Sequence, residues 1–189
     1  MNRNSAIVVV DMLYDFIDGS LACQNADSAV QECRRFILKN KEHSWGEPPV
    51  LFIRDCHPAD HCSFKENGGT WPVHCVNGTH GAEIHSDLQE FAQEELTFLK
   101  GTDPSKEQYS GAEGKNEAGQ SLLDVLGIMD VEEAYVCGIA TEYCVRNTAE
   151  DLLKAGLKVN LVKNTLAYVE QAGHDGALKA MQAEGIKLI

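Results

Sequence analysis

The feature that most constrains this 189-residue chain is an alternation. Short runs of Val, Ile, Leu and Phe at 6–10, 50–53, 96–99, 134–136 and 159–162 are separated by longer stretches at 29–40, 121–126, 142–155 and 175–184 whose apolar residues recur at helical spacing. A run with no polar face has nothing to turn toward water, so each reads as a strand buried on both sides. Strand alternating with helix predicts an α/β fold, a parallel sheet with helices on both faces. A sixth strand is expected at 186–189. The helices stop at glycine: "LLKAGLKV" and "MQAEGIKL" each set Gly156 or Gly185 between an amphipathic run and the next apolar one.

With 43% hydrophobic and 24% charged residues the composition is that of a globular protein, and the length predicts a single domain over residues 1–189. A net charge of -13 disfavours phosphate backbones and anionic lipid, so neither nucleic acid nor membrane is an expected partner. No run approaches the ~20 apolar residues of a membrane span. The early "AIVVV" is too short for a signal-peptide core, which makes a cytoplasmic location the expectation. Cysteines at 23, 33, 56, 62, 75, 137 and 144 are odd in number and form no C-x-x-C pair, so free thiols are expected rather than a disulfide framework or a zinc ribbon.

In an open parallel sheet the ligand crevice lies beyond the carboxyl ends of the strands. The residues delivered there are Asp11 after "AIVVV", Asp55 after "VLFIR", Lys100 after "LTFL", and the 138–144 turn after "AYVC". Cys144 falls in the first turn of the following helix, where free N–H groups and the helix dipole favour thiolate and predict a lowered pKa. Lys100 would stabilise that thiolate and Asp11 would carry the proton, a coherent nucleophile, helper and acid/base. The plainer alternatives are one more buried thiol beside an ordinary lysine–aspartate pair.

Asp55 and His57, two apart on an extended segment, turn to one side, and His74 follows a loop long enough to fold back. One carboxylate and two imidazoles suit one divalent ion, Zn, Fe or Mn, with open positions left for water or substrate. His61 and Glu66 are further candidate ligands in the same loop, whose histidines otherwise read as solvated. Phe16 and Trp71 are placed either to wall a pocket for a flat ring or to sit in the core. The Gly-, Asn-, Ser- and Pro-rich stretches 54–85 and 101–118 are long enough to carry function.

Taken in order, "VVVDMLYDFIDGSLA", "IRDCHPADHCSF", "TWPVHCVNGTHGAE", "FLKGTDP", "YSG" and "VCGIATEYCVRNTAEDLLKAG" resemble the nicotinamidases (pyrazinamidases) of the isochorismatase-like cysteine hydrolases. The resemblance covers nearly the whole chain and thins out beyond about residue 165. It implies a Rossmann-like three-layer sandwich with a six-stranded parallel sheet. It implies catalytic Asp11, Lys100 and Cys144, metal ligands Asp55, His57 and His74, and a cis peptide between Ile139 and Ala140. An oxyanion hole from the N–H groups of Ala140 and Cys144 goes with it, as do substrate contacts from Phe16, Trp71, Tyr109 and Ile139. The implied activity is hydrolysis of nicotinamide, and of pyrazinamide, with a small carboxamide as partner, zinc as the leading metal, and a homo-oligomer allowed.

The chain departs from the family pattern at Met12–Leu13, at Glu142 where relatives have Asp, and at Ala112 where they have an aromatic residue shaping one pocket wall. Two other readings stay open. One is an isochorismatase-like amide hydrolase acting on another carboxamide or carbamoyl compound. The other is a non-enzymatic metal-binding or thiol-redox protein.

Overall fold

Every residue of the first strand, β1 (Ser5–Val10), is buried. Its side chains alternate between two cores: Ala6, Val8 and Val10 face one, Ile7 and Val9 the other. A strand apolar on both faces belongs at the centre of a covered sheet, and that is where β1 lies. The computed structural model describes residues 1–41 and 46–189. After β1 come α1 (Tyr14–Ile17), α2 (Ala26–Lys39), β2 (Val50–Asp55), α3 (Ser86–Gln89), β3 (Thr97–Lys100), α4 (Leu122–Ile128), β4 (Glu133–Gly138), α5 (Arg146–Lys154), β5 (Lys158–Leu166), α6 (Gln171–Ala183) and β6 (Lys187–Leu188). Among the described residues the strands form one six-stranded parallel sheet, ordered β3-β2-β1-β4-β5-β6. Helices α4, α5 and α6 pack on one face, and α1, α2 and α3 on the other. No described helix is long and apolar enough to cross a membrane.

The strand order reverses at β1 and β4, which opens a crevice beyond their carboxyl ends. At that reversal Gly138, with φ +136°, pairs with Val10; a Cβ there would lie 2.1 Å from the Val10 carbonyl oxygen, so only glycine lets β4 leave the sheet so close to β1.

The elements run past the boundaries their local pattern predicts. Helix α6 starts at Gln171 rather than 175, and β5 continues to Leu166. The stretch expected as one helix over 142–155 is a π-turn, Thr141–Val145, followed by α5. The early start of α6 has a tertiary cause: the Glu142 carboxylate accepts from the N–H groups of Val169 and Glu170 at the helix entrance.

Candidate active site

Four strand ends meet at the crevice. Asp11 follows β1, Asp55 ends β2, Lys100 ends β3, and the turn holding Cys144 follows β4. Asp55 and Lys100 are register partners, which places their side chains on the same side of the sheet. Lys100 Nζ lies 2.5 Å from Asp55 Oδ1, 2.9 Å from Asp11 Oδ2 and 3.4 Å from Cys144 Sγ. The other oxygen of Asp11 accepts from the Asp55 N–H at 2.9 Å. All four side chains are buried. What sequence allowed as an ordinary pair at a sheet edge is therefore a water-excluded network with one cation between two carboxylates, beside a thiol.

The electrostatics of this network follow from burial and from Lys100. Burial alone would push the Lys100 ammonium down, but Asp11 and Asp55 outweigh it and hold its pKa well above that of an ordinary lysine. Burial raises Asp11 to about 6, Lys100 opposing and Asp55 adding. Asp55 goes the other way: Lys100 and His57 overcome its burial and keep it well below the usual carboxylate range. The Cys144 thiol corrects the sequence expectation. Burial, reinforced by Asp11 and Asp55, pushes it well above the ordinary cysteine value despite Lys100. The thiol sulfur lies within 4.8 Å of a carboxylate oxygen of Asp11.

The turn itself redirects its first amides. The Ala140 carbonyl accepts from Tyr143 N at 3.0 Å and from Val145 N at 3.1 Å, skipping the Cys144 N–H that an α-helix would have paired with it. The Ala140 N–H has no partner among the described residues, and the Ile139–Ala140 peptide is cis. The free Ala140 N–H and a Cys144 N–H that is not bonded to Ala140 O thus flank the sulfur.

Beside this network lie Asp55, His57 and His74, with one potential donor atom from each within 4.8 Å of the others. The long loop folds back because His57 N donates to Cys75 O at 2.9 Å and Asn77 N donates to His57 O at 2.8 Å. His57 Nδ1 pairs with Gly101 O at 2.9 Å and His74 Nδ1 with Pro72 O at 2.7 Å. A carbonyl accepts only, so both rings donate from Nδ1 and are left with Nε2 lone pairs, the hydrogen-bonding arrangement typical of metal-bound imidazoles. Burial would lower the His57 pKa, but Asp55 raises it above the ordinary value; a nitrogen that favours a proton there favours a cation. The donor set fits a divalent metal ion.

The two candidate extra ligands do not join the set. His61 Nδ1 accepts from Ser63 N at 3.2 Å, and its Nε2 pairs with Lys106 O at 3.2 Å. Its ring stacks on His57 with centroids 4.1 Å apart, a packing role. Glu66 is exposed on a short 3-10 turn. All seven cysteines are free, and Cys56, Cys62 and Cys75 stand outside the set.

Cys144 and the donor set open into one cavity, walled by Phe16, Trp71, Tyr109 and Tyr143. Trp71 stands edge-on to Tyr143 and donates from Nε1 to the Tyr109 hydroxyl at 3.2 Å. Phe16 packs against His74. Two expectations need correction. Ile139 is fully buried in the α1–α3 core and its side chain does not line the cavity. Ala112, expected in the pocket wall, lines a separate surface cavity behind the 101–118 loop. The reading also missed Leu21, Cys23, Glu107, Gln108, Tyr143 and Val169 as lining residues. Glu107 and Gln108 lie in a loop whose length signals function, and Tyr143 adjoins the nucleophile; Cys23 and Val169 arrive from distant segments with no local signal.

The isochorismatase domain model matches residues 5–189. The chain is 34% identical over 188 residues to the nicotinamidase/pyrazinamidase of Mycobacterium tuberculosis, covering 97% of each chain. Its fold is similar to the pyrazinamidase of Pyrococcus horikoshii in complex with zinc, at TM-score 0.87 and 39% identity, over 98% of each chain. It is also similar to PnC1 of L. infantum in complex with nicotinate, at TM-score 0.86 and 26% identity, over 100% of this chain and 94% of that one.

Proposed function

Since the chain belongs to the isochorismatase family, we propose that it hydrolyses nicotinamide to nicotinate and ammonia, and pyrazinamide by the same route. The observation that carries this reading is one aromatic-walled cavity into which a Cys–Lys–Asp network and a divalent-metal donor set both open. The first supplies amide chemistry. The second, with the ring walls, supplies recognition of a heteroaromatic ring.

Cys144 Sγ attacks the carboxamide carbon as its proton passes to Asp11, forming the S–C bond. The N–H groups of Ala140 and Cys144 hold the oxyanion. Asp11, with its pKa raised to about 6, is a base at neutral pH and still acidic enough to return that proton to the departing nitrogen. The C–N bond breaks, ammonia leaves and a thioester remains. Water then adds to the thioester carbon, Asp11 taking its proton; the S–C bond breaks and Asp11 returns the proton to the sulfur. Lys100 keeps Asp11 and Asp55 in register and stabilises negative charge on sulfur during both attacks. Asp55, His57 and His74 would hold the metal, which we infer to be zinc, and when bound it supplies a Lewis-acid anchor for the ring nitrogen. Phe16, Trp71 and Tyr109 hold the ring faces.

The test is ammonia release from nicotinamide and from benzamide, which lacks the ring nitrogen, before and after chelation. Turnover of nicotinamide alone, lost on chelation and absent in Cys144→Ala, is the expected result. Equal turnover of both amides points to a broader amide hydrolase. Release from neither, with metal still bound, points to a metal-binding protein instead.

A further inference from the structure

We propose that Glu107 makes the cavity select by charge, admitting the neutral carboxamide and weakening its hold on the anionic carboxylate product. The inference rests on the nicotinamide reading above. Glu107 lines the cavity together with Asp55, His57, His74 and Cys144, and none of the ion pairs formed among the described residues involves it. Its neighbour Lys106 pairs with Glu113 at 3.2 Å, and Lys100 is committed to Asp11 and Asp55. An uncompensated carboxylate therefore stands at the rim.

Its position is fixed from both sides. Cys62 N donates to Pro104 O at 2.8 Å, and His61 Nε2 donates to Lys106 O at 3.2 Å. Beyond it, Gly101 N donates to the Gln108 side-chain oxygen at 3.1 Å. These bonds tie the backbone around Glu107 to the loop that carries the metal donors, which keeps its exposed side chain beside the cavity it lines. Partial burial raises its pKa, His57 opposing and Asp55 adding.

The proposed reaction changes the charge of its ligand. A neutral carboxamide enters, and a carboxylate of charge -1 has to leave. Glu107 lines the same cavity as Cys144, and with a Debye length of about 8 Å at physiological ionic strength an anion beside Cys144 feels the rim carboxylate. The neutral substrate does not. Repulsion confined to the product speeds its release without loosening the substrate.

The test is calorimetric titration of nicotinamide and of nicotinate into zinc-loaded Cys144→Ala protein, in which the amide is not consumed, with and without Glu107→Gln. Glu107→Gln is expected to raise the affinity for nicotinate relative to that for nicotinamide by roughly threefold to tenfold. Raising the salt concentration is expected to change the ratio of the two affinities more in the Glu107 protein than in the Gln variant. A purely structural role would shift both ligands together and show no such salt dependence. An unchanged affinity ratio, a parallel shift of both ligands, or binding of neither overturns the proposal. Ammonia release by the unaltered chain is read separately and decides the reaction itself.

Discussion

Asp55 and Lys100 are register partners on adjacent strands, and their side chains meet as a buried ion pair of 2.5 Å. Asp55 is at once a member of the candidate metal-donor set and the counter-ion of the lysine that reaches the Cys144 sulfur. The donor set and the Cys–Lys–Asp network are thus one electrostatic unit.

Removing the charge from Lys100 leaves two buried carboxylates without their cation, and breaking a buried pair costs on the order of 3–5 kcal/mol. Lys100→Met is expected to lower unfolding stability by about that much and to abolish nicotinamide turnover, as read by denaturant unfolding and ammonia release. Lys100→Arg keeps the charge but has no room for a guanidinium between Asp11, Asp55 and Cys144, and turnover should fall at least a hundredfold.

The two carboxylates that share Lys100 titrate in opposite senses. Asp11, raised from 3.8 to about 6, binds its proton more tightly in the folded state; its contribution to stability is full below pH 3.8 and is lost as pH rises through about 6. Asp55, depressed, contributes stability above 3.8 that is lost as pH falls below it. Turnover should therefore fall through about pH 6 on the acid side while the fold persists, with loss of the fold setting in at lower pH. A pH–rate profile beside thermal unfolding at each pH checks this, and coincident loss of activity and fold would count against Asp11 as the base.

Zinc is expected to raise the unfolding temperature, since a ligand at about 1,000 times its Kd adds about 4 kcal/mol. His74→Ala should abolish that shift. His61→Asn, which removes a ring already engaged by Ser63 and Lys106, should keep zinc affinity within about tenfold of the parent. Calorimetry with and without chelator distinguishes the two.

Gly101 sits at φ +65°, and a Cβ there would lie 2.4 Å from the His57 ring, whose Nδ1 donates to the Gly101 carbonyl. Gly101→Ala is expected to fold yet lose tenfold or more in zinc affinity as the imidazole is displaced, measurable by competition with a chelating dye.

Glu142 ties the nucleophile turn to α6 through the N–H groups of Val169, which lines the cavity, and Glu170, at 2.9 and 2.8 Å. Glu142→Ala leaves both donors unsatisfied and should cost about 1–3 kcal/mol. It should also raise KM for nicotinamide more than it lowers kcat, because the wall moves and the reacting groups do not. Steady-state kinetics beside unfolding curves provide the check.

The six-stranded parallel sheet was legible because apolar runs with no polar face can only be central strands, and Asp11, Asp55, Lys100 and Cys144 were legible as strand-end residues because such a sheet presents its carboxyl edge as the crevice. The fold-back of His74 was readable as a possibility and needed the pairing around His57 to become a fact. Three things belonged to tertiary structure alone. The Cys144 pKa rises because desolvation in a closed network outweighs the helix-end field that local position predicts. Cys23, Glu107 and Val169 meet at one cavity although they are more than 60 residues apart in the chain. Ile139 points into the core because its backbone follows the bend at Gly138, and no local periodicity encodes that bend. Side-chain periodicity carries burial along one element, whereas dielectric, cavity shape and contacts between distant segments exist only once the elements have packed.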